Sequence, residues 1–189
     1  DRTPFKVFTH FWKNAEKVYL KQTPIKNYIG KSKIKKISYF KKCIEPKDIL
    51  PKKNWYKKFE KYWKVSENDS KKILKILIEN KIKDYGTSRD IPSIEGTSKL
   101  SPYIKHGQIH VESIWKKCSE IKSKGIGYRK YINELGWREF SHSLINYFPE
   151  FLKGNFRKEF DKFPWAKNEK FLKVWKRGMT GYPIVDAGM

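Results

Sequence analysis

The sequence predicts an all-α fold, a cluster of helices around an aromatic-rich core. Three observations predict it. Apolar residues recur at spacings of three and four in successive stretches after position 69, no stretch alternates with period two, and Ser, Asn, Gly and Pro stand where helices should start and stop. No internal repeat interrupts this pattern.

Residues 1–20, DRTPFKVFTHFWKNAEKVYL, mix turn signals with a short apolar run and are expected to pack onto another part of the protein. Residues 21–68 are lysine-rich with scattered Pro, Gly, Trp and Tyr and no sustained period, which suggests a linker over a surface. Regular structure is expected from Asp69 or Ser70, either of which can cap a helix whose face carries Ile73, Leu74, Ile76, Leu77 and Ile82. In EGTSKLSPYIKHG, Ser101 reads as an N-cap and Pro102 as the first helical residue, and Gly107 can close that short helix in a left-handed conformation. HVESIWKKCSEIKS then places Val111, Ile114, Trp115, Cys118 and Ile121 at helical spacing. A longer helix follows in IGYRKYINELGWREFSHSLINYFPEF, with Tyr128, Tyr131, Ile132, Leu135, Phe140, Leu144 and Phe148 before Pro149. NEKFLKVWKRG forms a last short helix ending at Gly178, and TGYPIVDAGM opens a further apolar one with Pro183 in its first turn.

The chain of 189 residues is long enough for a core, and 16% aromatic content separates it from a disordered basic tail. Its formal charge of +23 would attract a polyanion such as DNA or RNA. Only six of the 43 basic residues are arginine, and an adenine–thymine-rich coding sequence produces the same lysine excess, so charge alone does not establish the partner. Cys43 and Cys118 make no disulfide framework, and with the four histidines they form no metal-ligand spacing, which fits a reducing cytoplasm. No apolar run reaches the roughly 18 residues of a membrane span. The chain begins at Asp1 and stops inside an apolar helix, so it reads as a fragment of a longer protein.

Two places carry chemistry. Thr97, Ser98 and Ser101 gather three hydroxyls beside a helix start, where unpaired backbone N–H groups and partial positive charge favour a phosphate, with Lys99 adding charge. Ordinary helix capping explains the same residues. In YINELGWREF, Tyr131, Glu134 and Arg138 share one face and Trp137 lies three residues after Glu134. Glu134 and Arg138 can pair with each other at i, i+4, or orient a flat ligand stacked on the aromatics.

EGTSKLSPYIKHGQI, NELGWREFSHSLINYFPEF and WKRGMTGYPIVDAGM, in that order and spacing, resemble the flavin-binding domain of the photolyase and cryptochrome family. TPFKVFTHFWK resembles the end of that family's antenna domain. The resemblance implies an antenna-domain end over 1–20, an interdomain linker over 21–68 and an FAD-binding helical domain over 69–189, incomplete at its C-terminus. It implies FAD contacts at Tyr85, Thr97, Ser98, Lys99, Leu100, Ser101, Tyr131, Glu134 and Arg138. Glu134 matches the carboxylate that hydrogen-bonds a flipped pyrimidine lesion and Trp137 the aromatic wall beside it. Arg89 matches a DNA-contacting arginine, and Trp165 the outermost tryptophan of an electron-transfer chain whose inner members lie beyond Met189. The implied activity is that of a class I type deoxyribodipyrimidine photolyase, a lyase that uses blue light and reduced FAD to repair cyclobutane pyrimidine dimers. A second antenna chromophore of unknown identity, damaged DNA as partner, a monomeric state and an inactive isolated fragment are further implications. A cryptochrome-type photoreceptor is the alternative, and a cofactor-free basic nucleic-acid binder is the third reading.

Overall fold

The computed structural model describes residues 4–19 and 49–189, and among them every regular element is helical. The chain divides into two compact units, Asp1–Ser143 and Leu144–Met189. The first contains α1 (Phe8–Tyr19), a 3-10 stretch (Trp55–Lys61), α2 (Glu67–Ile76) with a π-helical turn after it (Leu77–Lys81), α3 (Tyr85–Ser88), α4 (Ser101–Lys105), α5 (Val111–Ser119) and most of α6 (Ile126–Tyr147). The second contains two 3-10 turns (Pro149–Leu152 and Lys158–Lys162), α7 (Glu169–Lys176) and α8 (Pro183–Gly188).

The first long helix begins earlier than its sequence suggests. Ser66 is the N-cap of α2, and its hydroxyl oxygen accepts the Asp69 N–H at 3.0 Å. Ser70 is fully buried inside the helix, where its hydroxyl reaches the Glu67 carbonyl at 2.7 Å and the Gln108 carbonyl at 3.2 Å. This bond ties α2 to the segment ahead of α5. In the π-helical turn the Ile82 N–H donates to the Leu77 carbonyl at 2.8 Å, five residues back. Leu74, Leu77 and Ile82 are buried, while Ile76, expected on the same face, is 45% exposed, since it stands about 100° round the helix from Leu77.

Of the stretch read as a linker, residues 21–48 lie outside the described residues together with Cys43. Its end is tied to the core, because the Tyr103 hydroxyl donates to the Lys64 carbonyl at 2.6 Å. The core contains Trp12, Leu77, Leu100, Tyr103, Ile114, Trp115, Cys118 and Tyr131. Burying each large apolar side chain is worth about 1.5–3 kcal/mol. Thus α1, expected to dock on another part of the protein, places Trp12 in this core.

Two glycines set where α6 lies. A Cβ on Gly127 would stand 2.2 Å from the carbonyl oxygens of Ile82 and Lys83, and one on Gly136 would stand 2.7 Å from the Trp12 indole. Only a residue without a side chain lets α6 approach the Tyr85 segment on one side and α1 on another. In the second unit, Asn168 caps α7 by accepting the Phe171 N–H at 3.0 Å, and Gly178 closes that helix with φ 60°. The Asp186 carboxylate accepts the Thr180 N–H at 2.8 Å, the Thr180 hydroxyl at 2.6 Å and the Gly181 N–H at 2.9 Å. These bonds, the hydroxyl's above all, hold its carboxyl below the usual carboxylate range.

Candidate functional site

Tyr85, on α3, is buried through its ring, and Tyr131, on α6, is 2% exposed. Their rings meet edge to face at 5.1 Å between centroids, with planes at 86°. Above Tyr85 lies the guanidinium of Arg89, 5.6 Å from the ring centre. The Nη1 of Arg89 pairs with Oε1 of Glu134, one turn after Tyr131 on α6, and its Nε lies 3.4 Å from Oδ1 of Asp90. The hydrogen bond to Glu134 is the main reason that the Arg89 pKa is raised. Tyr85, Arg89, Tyr131 and Glu134 therefore form one continuous cluster from two helical segments.

The hydroxyl segment comes to the same place. Gly96 makes this possible, since a Cβ there would be 2.1 Å from the Ser88 carbonyl oxygen. The chain after Gly96 thus runs directly against the end of α3, a necessity that the sequence disguises as an ordinary loop glycine. Among the described residues the buried Tyr131 hydroxyl has no hydrogen-bond partner. Burial chiefly raises its pKa, and the Ser98 hydroxyl acts on it in the opposite sense without reaching hydrogen-bond geometry. An unsatisfied buried hydroxyl costs about 1–3 kcal/mol, so a polar group from a ligand has a free-energy reason to approach it. Together with Ser98 and the close backbone approach at Gly96, this donor set fits a polar, phosphate-bearing cofactor with a flat ring.

The cradle differs in detail from its sequence reading. Ser101 is the first residue of α4, preceded by Leu100, and makes no cap hydrogen bond. A cap Ser was expected there because Ser-Pro commonly starts a helix; instead the Leu100 N–H donates to the Ser98 hydroxyl oxygen at 3.3 Å, which takes over the local role. Leu100 is 1% exposed and belongs to the core. Lys99 takes the left-handed backbone at φ 55° and pairs with Glu95, while Thr97 is exposed and its carbonyl accepts from Lys81 Nζ at 3.3 Å. Gly107 does close α4 with φ 70°.

The remaining predicted residues are less tightly joined. Glu134 and Arg138 do not pair: Arg138 binds the neighbouring Glu139, and both act on Tyr19 of α1. Trp137 is 46% exposed, but Phe8 stacks on it with ring centres 3.7 Å apart and planes at 10°. Trp165 is in the second unit, 63% exposed, with its indole N–H donating to the Phe160 carbonyl at 3.3 Å and its ring 4.6 Å from that of Phe163. Lys81 and Phe8 are neighbours that sequence reasoning missed, because their proximity depends on contacts between elements, while Asp90 stands next to Arg89 in the chain and was passed over. A cleft of about 860 Å³ lies elsewhere, lined by Leu74, Ile78, Ile109 and Ile121 with a rim of both charges. It contains none of the predicted residues, and its balanced rim recommends no particular ligand.

Residues 131–189 match a family described as the FAD binding domain of DNA photolyase. The deoxyribodipyrimidine photo-lyase of Agrobacterium fabrum is 34% identical over 197 residues, a match covering 98% of this chain and 39% of that protein. The enzyme of the same description from Alkalihalophilus pseudofirmus is 33% identical, covering 100% of this chain and 39% of the relative. Among solved structures, a bacterial class III photolyase from Agrobacterium tumefaciens superposes with a TM-score of 0.74 at 32% identity, over 98% of this chain and 39% of that one. A Synechocystis cryptochrome gives a TM-score of 0.70 at 22% identity, which shows a shared fold. The chain spans about two fifths of the length of these relatives.

Proposed function

The chain belongs to the photolyase and cryptochrome family, and we propose that the protein carrying it is a deoxyribodipyrimidine photo-lyase that repairs cyclobutane pyrimidine dimers in DNA. The observation that carries this reading is the cluster of Tyr85, Arg89, Tyr131 and Glu134, with the chain after Gly96 running against the end of α3 that bears Tyr85 and Arg89. When bound, reduced FAD supplies an electron that blue light releases to the dimer and that returns once the ring has opened.

The chain's own residues bind and orient. The Ser98 and Tyr131 hydroxyls take polar groups of the cofactor, Lys99 adds charge to its phosphate side, and Tyr85 walls the hollow. Thr97 and Ser101, both exposed, are free to turn their hydroxyls toward a phosphate. The Glu134 carboxylate accepts hydrogen bonds from a pyrimidine edge, and Trp137 offers an aromatic surface beside it. Lysines around the mouth contact phosphates without reading sequence. Trp165 would serve as the outer member of an electron path. A second chromophore in the complete protein, a monomeric state and a cytoplasmic location belong to the same proposal.

One observation favours the cryptochrome alternative: Phe8 covers a face of Trp137 that a lesion would need. Illumination of the flavin-loaded full-length protein with ultraviolet-damaged thymine oligomers decides between them. Recovery of thymine absorbance under blue light supports repair. No recovery, from protein that retains flavin, overturns it in favour of signalling.

A further inference from the structure

Resting on the photolyase reading, we propose that Arg89 is a positioning residue that aims the Glu134 carboxylate at the lesion, in place of the direct DNA contact that the family resemblance implied. Three observations carry this.

Arg89 has little freedom and no spare charge. Its backbone ends α3, with its N–H donating to the Tyr85 carbonyl at 3.3 Å, and the chain there is pinned by the close approach of Gly96 to Ser88. Its side chain is 29% exposed, lies over the Tyr85 ring and is shared by Glu134 and Asp90. One guanidinium against two carboxylates leaves this local group with a net charge of −1, and the Asp90 side chain is 73% exposed. A DNA phosphate brought to Arg89 would therefore meet an open carboxylate, which repels it.

Glu134, in turn, depends on Arg89. Arg138, four residues further along the same helix, is engaged with Glu139, and the ion pair that Glu134 makes is with Arg89 at the end of α3. A guanidinium holding one carboxylate oxygen leaves the other to accept from a base N–H, in a direction set by the fork of the arginine. Because the Tyr85 ring has the Arg89 cation above it and meets Tyr131 edge to face, Arg89 ties the Glu134 carboxylate to the same pair of aromatic rings.

The test uses the flavin-loaded full-length protein as wild type, Arg89→Ala, Arg89→Lys, Glu134→Ala and the Arg89→Ala/Glu134→Ala double variant. Affinity is measured for a duplex with one thymine dimer and for its undamaged twin across a salt series. A positioning role predicts that Arg89→Ala loses about tenfold in preference for the damaged duplex. Undamaged affinity and the salt slope stay as in wild type. The double variant is no worse than Glu134→Ala, and Arg89→Lys recovers part of the preference. Equal weakening on both duplexes, with the slope reduced by about one, makes Arg89 a phosphate contact and overturns the proposal. A wild type without any lesion preference sinks the photolyase reading instead. In that case thermal unfolding still judges the pair: additive losses of Tm in the two single variants would show that Arg89 does not hold Glu134.

Discussion

The indole of Trp12 lies against Gly136 so closely that a Cβ on the glycine would stand 2.7 Å from two of its ring atoms and 2.8 Å from a third. This contact joins α1 to the middle of α6, two residues from Glu134 and beside Trp137. The indole also meets Trp115 edge to face at 5.6 Å, so it has no room to withdraw. Gly136→Ala should therefore destabilise the protein by about 1–3 kcal/mol through overpacking, although alanine is the better helix former. Thermal denaturation checks this; an unchanged or higher Tm would mean that Trp12 does not occupy the core.

The hydroxyl of Tyr131 leads to a variant with opposite effects on two properties. Tyr131→Phe removes a buried oxygen that has no partner, so the flavin-free protein should gain about 1 kcal/mol in urea denaturation. The same change should lower the flavin retained per protein, measured by absorbance after gel filtration, because a polar contact to the cofactor is gone. A loss of stability in the flavin-free protein would show that the hydroxyl is already satisfied.

Roles within the cluster separate by a similar comparison. Thr97→Ala with Ser101→Ala should reduce flavin retention in the full-length protein while fold and melting change little, since both residues are exposed and neither caps α4. Glu134→Ala should leave flavin content nearly intact and weaken lesion binding or repair several-fold. If flavin falls with Glu134 and not with the hydroxyl pair, the two roles are exchanged.

Alkaline pH should unfold the protein by a defined route. Burial pushes the Cys118 thiol up from 9.0 to about 12, and burial likewise raises Tyr131 and Tyr85. A folded pKa above the unfolded value gives a stabilising contribution that is whole below the unfolded value and is lost as pH rises through the folded one. Urea midpoints should thus stay level with respect to these groups up to about pH 9 and fall between pH 9 and 12. Cys118→Ala should soften that fall, at the cost of a cavity. A midpoint that rises with pH above 9 contradicts the sign.

Much of the helical order can be read from residues alone. Val111, Ile114, Trp115 and Cys118 are buried as their spacing predicts, and Gly107 and Gly178 close helices with positive φ. The long helix and its buried Tyr131, Ile132, Leu135 and Phe140 were equally legible. Errors came where a local signal had competitors: Ser66 displaced Asp69 and Ser70 as the cap of α2, Ser101 opens α4 without capping it, and Ile76 lies off the buried stripe.

The sequence by itself determined that the protein is helical and where most helices lie, because helix periodicity and capping act within a few residues. Tertiary structure alone decided that Glu134 pairs with Arg89 and not with Arg138, that Gly96 and Gly136 are contact points, and that Phe8 stacks on Trp137. Those choices depend on distances between elements far apart in the chain, where close packing, and no local preference, selects which side chains can meet.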